Sequence, residues 1–358
     1  MPVNYILTFD YEMFGSGKGS IQKHLIEPTN KIISLLKKRG VKATFFVEQL
    51  EIDAIIALRN RYPEQSQEYK DSLAVEQQVL DLAEQGHDIQ LHLHPQWFNA
   101  RYDNKHWDLN FQWWNFSDLP YRTTEEGIPG KYDLIKAGKQ SLESLVRRVK
   151  PAYQCVAFRA GGYNIGANSD SVKALCENGL KLDSSVCPGF VCSSGLSCYD
   201  FTEAADLTPY WKSKTSLVQE SDSATSDGAK GKGCIELPLI TTYSFYRNKV
   251  SLARISNMIF KRSYKKISYS TELKRIKRRG GIASANSNFD VCLASSSELK
   301  KLIAKIKLEV TLSSLPVTPI TLIGHPKDYN CFSPLASILK NFSGQKFATV
   351  TQLLDDLE

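Results

Sequence analysis

Two histidines stand two residues apart in the segment Ile89-Gln90-Leu91-His92-Leu93-His94. On an extended strand, residues i and i+2 project from one face, so His92 and His94 share one side and Leu91 and Leu93 the other. Two neutral imidazoles on one face are half of a site for zinc or a related ion. A pair of structural or surface histidines would have the same spacing. Asp10 and Glu12 repeat that spacing in Leu7-Thr8-Phe9-Asp10-Tyr11-Glu12. With both pairs present the work can divide. One carboxylate holds the ion, and the other keeps a lone pair free to take a proton from a reacting water. Turn and helix-capping acids at a strand end are the ordinary alternative.

Phe158-Arg159-Ala160-Gly161-Gly162-Tyr163 and Thr321-Leu322-Ile323-Gly324-His325-Pro326 read as two further strand ends. Arg159 is a candidate partner for Asp10, because an adjacent cation keeps a carboxylate ionised. The glycines at 161 and 162 let a backbone amide approach a substrate and donate to a developing oxyanion, although a plain tight turn needs them too. His325 is a candidate proton donor. His24, His87 and His106 read as structural histidines; five residues separate His87 from His92, which puts them on opposite faces of a regular strand.

These groups are distant in sequence, so a regular framework must bring them together. Strands are expected at Tyr5–Phe9, Val41–Val47, His87–His94, Val156–Phe158, Leu180–Ser184 and Ile320–Ile323. Helices are expected at Thr29–Lys38, Ala74–Ala83, Leu134–Val149, Ser171–Glu177, near Ser296–Leu308 and at the terminus, with Gly40, Gly86 and Gly179 as stops. This alternation implies parallel strands with helices outside.

The 358 residues, 42% hydrophobic and 23% charged, have ordinary globular composition and length for a sizeable core. No apolar run approaches the ~18 residues of a membrane-crossing helix. The first ten residues read as a strand with no basic start, so no signal peptide and a cytoplasmic location are expected. The 8 cysteines include no CxxC pair and lack zinc-finger spacing, which suits free thiols in a reducing compartment. The net charge of +7 is concentrated: residues 259–281 hold nine Lys or Arg and one acid, Glu272.

Two insertions interrupt the alternation. Residues 95–132 are aromatic, with Trp97, Trp107, Trp113 and Trp114. They fit either a stacking wall for a sugar ring or an aromatic mini-core that folds a long loop. Residues 212–285 are first rich in Ser and Gly, as in a mobile loop, and then basic. The basic segment is either a solvated helix or a site for something anionic, since Lys261–Lys265 and Lys274–Arg278 put like charges on one face. The anionic candidates are a phospholipid surface, which would place the chain at the inner membrane face, or a lipid-linked or nucleotide-linked sugar. Nucleic acid is not expected: aromatic interleaving is sparse and no reading motif is present.

Asp10-Tyr11-Glu12, His92-Leu93-His94, Arg159 with its glycines, and His325-Pro326 together resemble, in this order, the polysaccharide deacetylases of carbohydrate esterase family 4, with the NodB-homology fold. Gly86-His87-Asp88-Ile89 is similar to the lead-in to the family's histidine motif, and Glu236-Leu237-Pro238 to its Glu-apolar-Pro strand. The sequence departs from the family pattern in three places, as a divergent branch would. Tyr11 separates the two acids, Gln96 stands four residues after His92 where a histidine is usual, and Ala160-Gly161 follows Arg159 where Arg-x-Pro is usual.

The resemblance implies an α/β fold, a deformed (β/α) barrel in one catalytic domain over 1–358, with the site at the C-terminal ends of the strands. It implies a divalent metal, zinc first, with cobalt, nickel or manganese as alternatives, held by Glu12, His92 and His94. Asp10 would be the base, Arg159 its orienting partner, the amide near Gly162 an oxyanion donor, and His325 the acid, with Asp183 orienting His325. The reaction would remove an N-acetyl group from a sugar; the expected cytoplasmic location and the basic segment point to a glycan precursor, in surface polysaccharide synthesis. Three other readings use the same residues: hydrolysis of a different C–N bond such as a cyclic amide, glycan binding without catalysis, and an iron oxygenase. The last fits least, because position 94 holds His where that triad usually has its carboxylate.

Overall fold

The computed structural model describes residues 3–192, 196–218, 233–243, 246–267, 286–315 and 317–357. The framework strands are β1 (Val3–Tyr11), β2 (Thr44–Glu48) and β3 (Asp88–Leu93), then a small hairpin of β4 (Arg101–Tyr102) and β5 (Trp107–Asp108). There follow β6 (Ala157–Ala160), β7 (Leu182–Asp183), β8 (Val191–Cys192), β9 (Tyr199–Asp200), β10 (Trp211–Ser213), β11 (Cys234–Glu236), β12 (Thr241–Tyr243), β13 (Asn286–Asn288), β14 (Thr318–Gly324) and β15 (Lys346–Ala348). The helices are α1 (Glu27–Lys38), α2 (Gln49–Ala57), α3 (Gln67–Glu84), α4 (Lys131–Val146), α5 (Ser169–Glu177), α6 (Leu252–Phe260), α7 (Arg262–Lys265), α8 (Ser296–Leu312), α9 (Leu335–Asn341) and α10 (Val350–Leu357).

One sheet organises the molecule, in the order β10-β11-β7-β6-β3-β2-β1-β14, with β15 beside the N-terminal half of β1. Its neighbours are parallel except β10 against β11. The two ends of the sheet approach through single links rather than a full ladder. Leu239 donates to Val186 and bridges to Thr321, and Asp290 bridges to Ile323. The expected α/β class and deformed barrel are both present, with the seam between β7 and β14 as the deformation.

Side-chain parity decides what lies inside. Leu7, Phe9, Phe45, Val47, Leu91, Leu93, Phe158 and Ala160 face outward into the core shared with the helices. The other face carries Ile6, Phe46, Ala157 and Leu182, capped by Val350, Leu353 and Leu354 of α10. That second cluster plugs the N-terminal end of the curled sheet. Residues two and four positions further along each strand, including Asp10, Glu48, His92 and Arg159, therefore share the interior at its C-terminal end.

Several elements differ from the sequence expectation. Helix α2 follows β2 with no loop, because the Glu48 side chain accepts from Glu51 N–H and caps it. Helix α3 extends a full turn or more N-terminal to the expected start, from a Ser66 cap that accepts from Tyr69 N–H. Helices α6 and α9 were not expected. Of the 212–285 insertion, residues 219–232, 244–245 and 268–285 lie outside the described residues, as does most of the basic segment.

Candidate active site

The strand ends bring Asp10, Glu12, His92, His94, Arg159 and His325 to one place, all buried except the partly exposed His325 at the rim. Arg159 Nη1 lies 2.6 Å from Asp10 Oδ1 and also donates to Thr8, while its Nε and Nη2 donate to the Ser184 carbonyl and hydroxyl. The guanidinium lies over the Phe46 ring at 4.0 Å. A cation bonded at all three of its nitrogens therefore fixes the Asp10 carboxylate. Burial alone would raise the Asp10 pKa, but the Arg159 charge, followed by His92 and His325, overrides it and holds the group far below the usual carboxylate range.

Glu12 Oε2 lies 2.7 Å from His94 Nε2 and 3.6 Å from His92 Nε2. These three residues each offer one donor atom within a 4.8 Å cluster. His92 Nδ1 is 2.8 Å from the Arg159 carbonyl, an acceptor, so the proton sits on Nδ1 and the Nε2 lone pair is free. Both Nε2 atoms are buried and neither makes a well-directed hydrogen bond, although His94 Nε2 lies 2.7 Å from Glu12 Oε2. Two orphaned imidazole nitrogens converging on a carboxylate are a donor set that a zinc-like ion satisfies, and leaving them unfilled costs desolvation energy. Burial lowers the His94 pKa, which keeps it a neutral lone-pair donor.

The supports of this cluster lie largely outside the sequence expectation. Glu48 Oε1 accepts from His94 N–H at 2.8 Å, so the helix-capping acid also pins the histidine backbone. The His94 ring packs on Gly161, where a Cβ would lie 2.5 Å from the ring, and its other side meets Trp114 at 5.7 Å. Gln96 stands 3.1 Å from His94 Nδ1 and leaves its own Oε1 buried and unpartnered. Turning that amide over places Oε1 against Nδ1–H, which satisfies both groups and leaves Nε2 to the cluster. Lys327 Nζ donates to Glu12 Oε1 at 2.7 Å and to the Met13 carbonyl. Against burial, Lys327 and then His94 hold the Glu12 pKa well below its ordinary value.

His325 Nε2 is 3.5 Å from Asp10 Oδ2, and its Nδ1 is 2.7 Å from Asp290 Oδ2. Asp290, not Asp183, orients this histidine. Asp183, on β7, is engaged elsewhere: it accepts from the Ser185 amide and hydroxyl beside Glu236. No sequence feature singles out Asp290; it reaches the site because its own segment bridges to the edge of β14. Gly162 has φ 56° and ψ 25°, the left-handed region that favours glycine, in the turn Gly161–Tyr163 that follows β6. His24 and His87 are structural: their Nδ1 atoms accept from the Ser20 and Ala43 amides.

The aromatic insertion packs on itself, Trp97 on Trp107, Tyr102 on Trp107, and Phe98 on Trp113. Trp114 departs from this mini-core to reach His94, and its Nε1 donates to Ser197.

The sequence from residue 4 to residue 164 matches the family profile described as polysaccharide deacetylase. The matched stretch is under half of the 358-residue chain. It contains Asp10, Glu12, His92, His94, Arg159 and Gly162 and stops before Asp290 and His325, so the polysaccharide deacetylase match covers one side of the crevice and the coordinates supply the other. No curated protein matches the chain. Among solved structures, it is similar to a Mycobacterium smegmatis protein assigned to the polysaccharide deacetylases (13% identity, 99% of this chain and 91% of that chain, TM-score 0.43). A 4-alpha-glucanotransferase from Thermococcus litoralis (10% identity, 99% and 40%, TM-score 0.47) is also similar. So is a carbohydrate esterase family 4 pseudoenzyme from Bacillus anthracis (11% identity, 99% and 66%, TM-score 0.39).

Proposed function

We propose that this protein is a metal-dependent hydrolase that removes the N-acetyl group from a sugar or glycan precursor, in the synthesis of a surface polysaccharide. The observation that carries the reading is the convergence of the orphaned His92 and His94 nitrogens on Glu12, beside an aspartate fixed by arginine and a histidine held between two carboxylates. Glu12, His92 and His94 would hold a divalent ion, zinc first. When bound, such an ion polarises the acyl oxygen and acidifies water.

The chain's own groups do the remaining work. Asp10 takes a proton from the water that attacks the acetyl carbon, and its bond to Arg159 keeps it ionised and aimed. The Gly162 amide donates to the acyl oxygen as it gains charge. His325, protonated between Asp10 and Asp290, gives its proton to the departing nitrogen. The C–N bond breaks, leaving acetate and a free amine. Trp114 stands beside His94 as a wall for the sugar ring.

The test is acetate release from N-acetylated monosaccharides, glycans and their nucleotide- or lipid-linked forms, with cyclic amides in the same panel. Release from the acetylated sugars is the expected result. Turnover of cyclic amides alone would move the assignment to another C–N bond. No turnover with zinc, cobalt, nickel or manganese, beside a working control enzyme, would leave a binding module.

A further inference from the structure

A helix packed on a soluble protein normally turns its apolar stripe inward and its polar residues to water. Helix α6 is turned the other way. Its inward face is polar. Arg254 forks onto the buried Glu298 carboxylate, with Nη2 3.0 Å from Oε1. Asn257 donates to the Asp328 carbonyl at 2.8 Å and carboxylate at 3.1 Å, and accepts from Asn330 at 3.0 Å. Just past the helix end, Lys261 donates to the Lys327 and Tyr329 carbonyls.

The outward face is apolar: Leu252, Met258, Ile259 and Phe260 are 63%, 61%, 63% and 72% exposed, and Val250 before them 63%. Rolling the helix over to bury this face would strand the Glu298 charge without its partner, a costly exchange. The inverted orientation is therefore fixed by the inner polar contacts.

The surrounding charge selects what covers the face. Leu252 to Lys266 contains five basic residues and no acid. Arg262 and Lys266 are exposed at its C-terminal end, while Lys265 between them pairs with Asp328 at 2.7 Å. A second copy of the chain would bring two such basic patches together. An anionic surface is complementary to it. The helix has nine residues and is far too short to cross a bilayer, and no described helix is long and apolar enough to do so. We propose that α6 docks flat on an anionic phospholipid bilayer. Met258, Ile259, Phe260 and Leu252 enter the boundary between headgroups and acyl chains, and Arg262 and Lys266 meet the lipid phosphates. The inner face of α6 is bonded to residues 327–330, directly after His325, so docking holds the rim of the crevice at the membrane surface.

Flotation of the full chain with phosphatidylcholine vesicles, with and without phosphatidylglycerol, tests this without any substrate, so it stands or falls apart from the hydrolase reading. The protein is expected to float with the mixed vesicles. Binding should weaken at least ~10-fold on phosphatidylcholine alone, and on raising salt to about 1 M. The combined variant Met258→Gln, Ile259→Gln, Phe260→Gln should lose binding by a similar factor with an unchanged melting curve. Tryptophan emission of Phe260→Trp should shift to the blue on adding mixed vesicles and stay put with phosphatidylcholine alone. Failure of the wild-type protein to float, equal flotation of the combined variant, or a wild-type dimer that this variant dissociates would each overturn the proposal.

Discussion

The His325 ring lies between two carboxylates, with Asp290 Oδ2 2.7 Å from Nδ1 and Asp10 Oδ2 3.5 Å from Nε2. Burial pulls the imidazole toward the neutral form, but the bonds to Asp10 and Asp290 outweigh it and lift its pKa to about 10. The ring is thus a protonated acid at neutral pH. Asp290→Asn removes one of the groups that keep it so. The expected outcome is a fall of about 10- to 100-fold in kcat. The alkaline limb of kcat/KM should also move to lower pH, because the acid is lost sooner as pH rises. Asp183→Asn, which changes a group bonded to Ser185, should leave that limb where it is. A shift with Asp183→Asn and none with Asp290→Asn would reverse this assignment.

Gly161 has room for no side chain, since a Cβ would sit 2.5 Å from Cγ and Nδ1 of His94. Gly161→Ala should displace the imidazole from Glu12 and weaken metal binding about 10- to 100-fold, while the sheet beneath stays folded. Calorimetric titration with zinc, paired with circular dichroism, checks both parts. Unchanged affinity would show that His94 is not a ligand.

Gln96 offers a finer test of the same residue. The tautomer of His94 that leaves Nε2 unprotonated needs an acceptor at Nδ1, and the Gln96 amide is the group within reach, at 3.1 Å. Gln96→Leu should weaken zinc binding by about 10-fold or more, and Gln96→Glu should retain or strengthen it, because a carboxylate is the better acceptor. Equal affinity in both variants would remove Gln96 from the support of the site.

The framework was legible in the sequence wherever a period of two or 3.6 repeats. The parity of Leu7-Thr8-Phe9-Asp10 and of Leu91-His92-Leu93 separates outward apolar residues from inward polar ones, and the coordinates keep that division. Asp290, Lys327 and Glu48 were not legible as site residues. Asp290 arrives through one bridge at a sheet edge, Lys327 through a turn after β14, and Glu48 as a helix cap that also reaches the His94 amide. Long-range contacts of this kind leave no local period. Helix α6 was missed because its apolar face is exposed and its polar face packed, which defeats reading an interior from hydrophobicity.

Away from the site, Glu309 is buried on α8, and burial raises its pKa to about 7 against the partial relief of Lys305. The folded protein prefers this carboxyl protonated. Its contribution to stability is therefore fully present below the unfolded value of 4.5 and is lost as pH rises toward 7. Glu309→Gln, neutral throughout, should match wild type near pH 4. At pH 8 it should exceed wild type by up to roughly 3 kcal/mol. Thermal melts at the two pH values decide it, and an equal difference at both would rule out the titration.

Stoichiometric metal uptake is the most direct test of the crevice. Protein stripped with chelator, dialysed against zinc and analysed for bound ion should hold one equivalent, and His92→Ala prepared alongside should hold none while melting as a folded protein. A wild-type chain that takes up no divalent ion, or a His92→Ala chain that takes up as much as wild type, would contradict a site built from Glu12, His92 and His94.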